Sequence, residues 1–282
     1  DLGRVLGDFR VMFGVSELTI RPDFLSIVRA AKKIGYKTVA VVSNGRRFSD
    51  PRFGEAALKA GMTHVLLSIY GPGARIHEGM TRTPGSFEQT VAGLSWLLEH
   101  EVKVMTNSVV TLRNQDSLSE LVAFLGDLGV RNSCLSFVQK IGNAKRFSAQ
   151  LIPSWKAAVP AMEKAYRLGV ERGMVMGLGG IPPCALPQYP EAFGVDDLTW
   201  IHNGEARDQI RERSPYHYAI PCGDCALRPV CHGVQEEALV DEDMGQLNPF
   251  SGPICQERPR SALGYAMFSD LFDGEGDVGR YS

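Results

Sequence analysis

The sequence predicts an α/β fold built on a parallel sheet, with a small cysteine-rich lobe at its C-terminal end. Three observations lead there. From Arg10 to about Gly180, short apolar runs alternate with amphipathic segments at the length of strand-helix units. After Gly180 the periodicity fades, and proline and cysteine become frequent. A chain of 282 residues with 44% hydrophobic content suffices for one large barrel-like domain with an appendage. The expected division is residues 1–180 for the sheet domain and 181–282 for the lobe.

The elements follow in order. Arg10 to Gly14 reads as a strand ending in a turn. Pro22 opens a helix whose apolar positions Phe24, Ile27, Val28, Ala31 and Ile34 keep helical spacing, with Gly35 as its stop. Thr38 to Val42 is the next strand, closing on Ser43-Asn44-Gly45. Asp50 and Pro51 cap and start a helix that stops at Gly61. His64 to Tyr70 is a strand that runs into Gly71-Pro72-Gly73, followed by a loop through Arg82. Ser86 and Gln89 form a capping-box pattern for a helix with Phe87, Val91, Leu94 and Leu98 on one face. Val102 to Val110 is the following strand. Ser117 and Glu120 repeat the capping box ahead of the stripe Leu118, Leu121, Val122, Leu125 and Leu128, which Gly129 ends. Cys134 to Val138 is a strand leading to Gly142-Asn143-Ala144. A helix from about Ser154 to Arg172 and a strand near Met174 to Met176 complete the array, and a short helix over Ala262 to Leu271 precedes a mobile tail.

Helix-separated strands repeated this often imply a parallel sheet, either open and doubly wound or closed into a full or partial barrel. In each case the ligand sits at the carboxyl ends of the strands. Those ends are Gly14 to Glu17, Ser43 to Gly45, Ser68 to Gly71, Asn107, and Gln139 to Asn143. They are mostly small, polar and uncharged. Such a rim suits a ligand held by backbone and hydroxyl hydrogen bonds better than a hydrolase built on paired carboxylates.

A formal charge of −2 shows no basic excess for an extended nucleic-acid footprint. No apolar run reaches the length of a membrane span and no signal-peptide pattern opens the chain, so a cytoplasmic, reducing setting is expected. Clustered cysteines then argue for metal rather than disulfides. Asp1 stands where a methionine would start a natural chain, so further sequence upstream is expected.

The stretch Pro221 to Gly233 packs three of the six cysteines, Cys222, Cys225 and Cys231, into ten residues. Two thiolates separated by two residues reach one ion or cluster when the loop between them curls back, and Gly223 and Asp224 suit that turn. Pro229 keeps a helix from straightening the path to the third. Buried free thiols are the plain alternative, but free thiols have no reason to cluster. A fourth ligand must come from Cys184, Cys255, His232 or a substrate. His77, His100, His202, His217 and His232 show no pair at the spacing of a helical metal site. Lys140 and Arg82 lie near the rim as candidate partners of a carboxylate.

The chain resembles the radical S-adenosylmethionine superfamily in four places: Thr19-Ile20-Arg21-Pro22-Asp23-Phe24, Ser43-Asn44-Gly45-Arg46-Arg47, Pro84-Gly85-Ser86-Phe87-Glu88-Gln89-Thr90, and Pro183-Cys184 with Cys222, Cys225 and Cys231. It is most similar to the type with a C-terminal auxiliary iron-sulfur lobe. The resemblance implies a partial (β/α)6 TIM-like barrel in which a [4Fe-4S] cluster cleaves S-adenosylmethionine to a 5'-deoxyadenosyl radical, which abstracts a hydrogen from a peptide or small-metabolite substrate. Ser16 and Glu17 would lie beside the methionine amino group, Ser43, Asn44, Ser68 and Asn107 would line the methionine and ribose, and Gly142 and Asn143 would lie near the adenine. Cys184, Cys222, Cys225 and Cys231 would hold an auxiliary [4Fe-4S] cluster, with Cys255 as the alternative ligand. Four thiolates also suit a structural zinc ion.

Two departures stand out. The family's Cys-x3-Cys-x2-Cys loop does not occur between Asp1 and Ser282. Where the family has Gly-Gly-Glu-Pro, this chain has Val15-Ser16-Glu17-Leu18, which adds side chains where glycine lets the backbone approach the cofactor. Tyr70 also stands where a histidine is expected. These departures motivate a second expectation, a radical-enzyme-like protein that has lost catalysis and serves as a binding or partner subunit.

Overall fold

A computed structural model describes residues 10–14, 16–189, 192–193, 216–217, 222–226, 228, 231 and 233–235. The chain divides into two compact units. The first comprises Asp1–Ser108, Glu120–Ser133 and Arg172–Met174, and the second Val109–Ser119, Cys134–Glu171 and Val175–Ser282. The boundary expected at residue 180 falls within the second unit.

In the first unit, β1 (Arg10–Phe13), β2 (Thr38–Ser43), β3 (His64–Ser68) and β4 (Lys103–Val110, whose last two residues belong to the second unit) are parallel neighbours. Met12 lies opposite Ala40, Ala40 opposite His64, and His64 opposite Lys103. Parallel neighbours need crossovers, and four helices provide them: α1 (Phe24–Ile34), α2 (Pro51–Ala60), α3 (Ala74–Thr81) and α4 (Ser86–Glu99). The core gathers Val28, Val39, Val41, Phe48, Ala57, Val65, Leu67, Leu94 and Leu97. Helix α2 follows its sequence signals closely. The Asp50 carboxylate accepts from Arg52 N at 3.1 Å, Pro51 takes the first position, and Gly61 ends the helix in the left-handed conformation.

Helix α5 (Leu118–Asp127) spans the division and buries Leu118, Leu121, Val122 and Leu125. The second unit continues with the end of β5 (Asn132–Phe137), short helices α6 (Gly142–Arg146) and α7 (Ser148–Leu151), the long α8 (Trp155–Glu171) and β6 (Val175–Gly179). Phe137 meets Trp155 edge to face, with centroids 6.4 Å apart, over a core that includes Leu135, Ala158, Met162 and Leu178. Strands β1 to β6 pair in sequence order in one sheet that the described strands do not close, as an open (β/α)6 arrangement requires. A separate antiparallel pair joins β7 (Tyr216–His217) to β8 (Val234–Gln235). Among the described residues no helix is long and apolar enough to cross a membrane.

Several local expectations are corrected. Helix α1 opens at Phe24, not Pro22, and Asp23 makes no side-chain cap because Arg21 engages both carboxylate oxygens at 2.8 and 2.7 Å. Ile34, counted in the apolar stripe, is 63% exposed. The expected loop before Arg82 holds helix α3, which its glycine-rich flanks concealed. Ser86 caps nothing: Gly85 precedes α4 in the left-handed conformation, and the Ser86 hydroxyl pairs with that of Thr81 at 2.7 Å. The deepest face of α4 is Ser86, Thr90, Gly93, Leu94 and Leu97, rotated from the expected Phe87, Val91, Leu94 and Leu98. Ser117 donates its hydroxyl to the Asn114 carbonyl at 3.0 Å. Strand β6 begins at Val175, later than the expected Met174. The expected helix at 262–271, and the tail beyond it, lie outside the described residues.

Candidate functional site

The register of the first unit sorts its strand residues onto two faces. Val39, Val41, Val65, Leu67, Val104, Thr106 and Ser108 are buried on one face. The other carries Val42 and Leu66, then Met105, and ends at the carboxyl edge with Ser68 directly opposite Asn107. Both of these are half-buried, unlike Leu66 and Met105 before them. A hydroxyl and an amide thus stand side by side where a parallel sheet presents its ligands.

Glu17 organises the neighbouring turns. Its Oε1 accepts from the Thr19 backbone N, the Thr19 hydroxyl and the Ser43 hydroxyl (3.0 Å), and its Oε2 accepts from Asn44 N at 2.6 Å. One carboxylate therefore caps the 3-10 turn Leu18–Ile20 after β1 and ties it to the turn after β2. Such multiple donation is what a half-buried carboxylate without a cationic partner needs. Ser43 is buried, and its oxygen also accepts from Gly45 N at 3.0 Å. Ser16 is exposed, and Val15 lies outside the described residues.

The turn after β2 is then fixed from a third side. Thr90 of α4 donates to the Asn44 carbonyl at 2.9 Å, the Asn44 side chain accepts from Arg46 N at 3.0 Å, and Arg46 Nε donates to Gln89 at 2.7 Å. Gly45 has φ +79°, and a Cβ there would meet Leu67 at 2.7 Å. A Cβ on Gly93 would stand 2.1 Å from the Gly45 carbonyl oxygen. Backbone meets backbone at Gly93 and the left-handed conformation favours glycine at Gly45, so both positions call for glycine.

Beside this turn His77, 1% exposed, accepts from Tyr70 N at 3.3 Å and packs its ring against Tyr70 and Phe87. Burial pushes its pKa down to about 4; Glu78 opposes that shift and Arg46 adds to it. His77 is thus a neutral acceptor at physiological pH. Burial raises the Tyr70 phenol, partly countered by a hydrogen bond with Ser68.

In the second unit, Gly142 and Asn143 are exposed at the start of α6. Cys134, inside β5, is buried and pushed up to about 11, its sulfur 3.5 Å from the Ser136 hydroxyl. Cys184 is buried, while Cys222, Cys225 and Cys231 are half-buried and unoxidised. Burial pushes the Cys184 thiol up to about 12, and charge on Cys231, Cys222 and Cys225 adds to the rise. Three sulfurs thus lie within electrostatic reach of Cys184, an environment that a cation or cluster would relieve. Among the described residues no three are drawn together as a finished ligand set. The described backbone supplies a turn at Cys222–Cys225, with Cys225 N on the Cys222 carbonyl at 3.4 Å, and Gly233 N donates to Cys231 Sγ at 3.3 Å. Cys255 and His232 lie outside the described residues. The donor chemistry fits thiolate-held metal.

Sequence reasoning placed Glu17, Ser43, Asn44, Ser68 and Asn107 at the rim and missed Thr19, Thr90, His77 and Arg46 as its supports. Thr90 and Gly93 at i and i+3 on α4 were the available signal, a run of small residues on one helix face.

A model of the Radical SAM superfamily matches residues 5–125. An AdoMet-dependent heme synthase from Oleidesulfovibrio alaskensis is 22% identical, with 90% of this chain matched to 76% of that protein. A PqqA peptide cyclase from Ruegeria pomeroyi is 24% identical over 68% of this chain and 51% of its own length, so the chain spans about half of that relative. Among solved structures, a domain of a pyruvate-formate lyase-activating enzyme from Bacteroides vulgatus aligns with a TM-score of 0.48 at 12% identity, covering 61% of this chain and 99% of that one. Streptococcus suis SuiB bound to S-adenosylmethionine aligns at 0.46 and 14% identity, covering 60% and 36%.

Proposed function

We propose that the protein is a radical S-adenosylmethionine enzyme that generates a 5'-deoxyadenosyl radical to modify a peptide or small-metabolite substrate, a reading supported by the match of a Radical SAM superfamily model to residues 5–125. The observation that carries this reading is the polar rim of the first unit, where Ser68 and Asn107 stand together beside turns tied by Glu17. The superfamily's [4Fe-4S] cluster supplies reductive cleavage of the cofactor when bound. The rim's own work is positioning. Ser68 and Asn107 offer a hydroxyl and an amide to the methionine and ribose. Asn44 and Ser43 hold the turn, and Glu17 holds them. Ser16 lies at the methionine end. His77 stays neutral and supports Tyr70 from behind.

Cys184, Cys222, Cys225 and Cys231 hold an auxiliary [4Fe-4S] cluster in this reading, with Cys255 as the alternative ligand. A reducing, cytoplasmic setting suits such thiols. Relatives named for heme synthesis and for a peptide substrate support a substrate of either class.

The test is iron, sulfide and 5'-deoxyadenosine on anaerobically prepared protein of natural full length. About eight irons per chain and nucleoside release on reduction are expected for two clusters. Absence of both cofactor binding and 5'-deoxyadenosine would sink the reading. A second reading, a partner subunit without catalysis, is favoured by Glu17, whose carboxylate is engaged by protein donors; about four irons and no nucleoside would put it in the lead. Absence of visible charge-transfer absorption from metal-loaded protein would point to zinc at the thiols instead.

A further inference from the structure

We infer that Arg46 is an anion-binding residue of the first unit's rim, preset to receive the paired oxygens of a carboxylate or phosphate. Its backbone N is held by the Asn44 side chain at 3.0 Å and its Nε by Gln89 at 2.7 Å. The preceding residue, Gly45, is locked between Leu67 and Gly93. The side chain is therefore held at its backbone root and at Nε, and among the described residues its two terminal nitrogens have no partner. A guanidinium anchored through Nε by a neutral amide still presents donors at its end, and the planar fork matches carboxylate and phosphate geometry.

Among the described residues the surroundings lack an internal anion to fill that role. Arg21 is paired with Asp23, Arg52 with Asp50 and Arg172 with Asp127. The groups that hold or approach Arg46 are Asn44, Gln89, neutral His77 and Ser49, whose hydroxyl donates to the Arg46 carbonyl at 2.7 Å. Of the nearby acids, Glu17 is engaged by Thr19, Ser43 and Asn44, and the Glu78 carboxylate accepts from Phe87 N at 3.3 Å. A half-buried cation held rigid without a carboxylate is organised for a ligand that brings one.

The anion has two possible sources, the cofactor's methionine carboxylate or a substrate, and the first rests on the function proposed above. Calorimetric titration of the full-length protein, wild type, Arg46→Gln and Arg46→Lys, separates them. Three probes are used: S-adenosylhomocysteine, which has the carboxylate; 5'-methylthioadenosine, which lacks it; and inorganic phosphate. Weakening of S-adenosylhomocysteine by roughly 10- to 100-fold in Arg46→Gln, with 5'-methylthioadenosine unchanged and partial recovery in Arg46→Lys, assigns the cofactor carboxylate. Loss of phosphate binding alone assigns a substrate anion. That second result supports the inference even if neither nucleoside binds the wild type, an outcome that counts only against the proposed function. Equal weakening of both nucleosides marks Arg46 as a structural residue and overturns the inference, as does binding of all three probes unchanged in Arg46→Gln.

Discussion

At Glu17 one carboxylate satisfies four donors on two separate turns. Replacement by glutamine leaves one oxygen and introduces an NH2 group, so either the Thr19–Ser43 side or Asn44 N loses its acceptor. A buried donor without a partner costs about 1–3 kcal/mol. Glu17→Gln is expected to lower the unfolding free energy by that amount, read as a lower urea midpoint with an unchanged slope; a midpoint within error of wild type would show that the turns hold themselves. Glycine makes a sharper contrast two turns away. Gly93→Ala puts a methyl into the Gly45 carbonyl and should cost about 1–3 kcal/mol. Gly73→Ala, where nothing lies within 4 Å, should stay within about 0.5 kcal/mol. Equal midpoints for the two alanine variants would mean that the close approach relaxes freely.

Helix α3 shows what sequence patterns convey and what they hide. Helices α1 and α2 were legible because each ends at a glycine with positive φ and carries a regular apolar face. The strands were legible for the same reason, and their polar ends exposed most of the rim. Helix α3 was not, because Gly71, Gly73 and Gly79 read as loop, and its buried anchor is a histidine. The face of α4 was misjudged because close backbone packing selects serine, threonine and glycine, which carry no apolar signal. His77 makes this helix sensitive to pH. Its folded pKa, about 4, lies below the ordinary value of 6.5, so the unfolded chain binds a proton that the folded one refuses. The resulting stability is complete above pH 6.5 and is lost as pH falls toward 4, a change on the order of 3 kcal/mol. His77→Asn keeps an acceptor for Tyr70 N and removes the titration. The difference in unfolding free energy between wild type and His77→Asn should therefore narrow across this window. A constant difference from pH 7 to pH 4 would show that protonation of His77 is not resisted by the fold.

Over the whole molecule the two units present different chemistry, oxygen and nitrogen hydrogen-bonding groups in the first and sulfur in the second. The sequence announced the sulfur site by spacing alone, since Cys222, Cys225 and Cys231 cluster along the chain. What spacing did not convey is that Cys184, far away in sequence, shares their electrostatic environment while being more buried. This asymmetry gives the site a signature that needs no turnover. In metal-free protein a rise of the Cys184 thiol from 9.0 to about 12 cuts its thiolate fraction near pH 8 by roughly a thousandfold. Iodoacetamide should then label Cys222, Cys225 and Cys231 well before Cys184. Metal-loaded protein should protect all four together, because coordination ties up the sulfurs at once. Cys184→Ser should abolish that shared protection and lower the bound iron by about four per chain if the site holds a [4Fe-4S] cluster. Protection of the other three with full iron in Cys184→Ser would remove Cys184 from the ligand set and move the fourth position to Cys255.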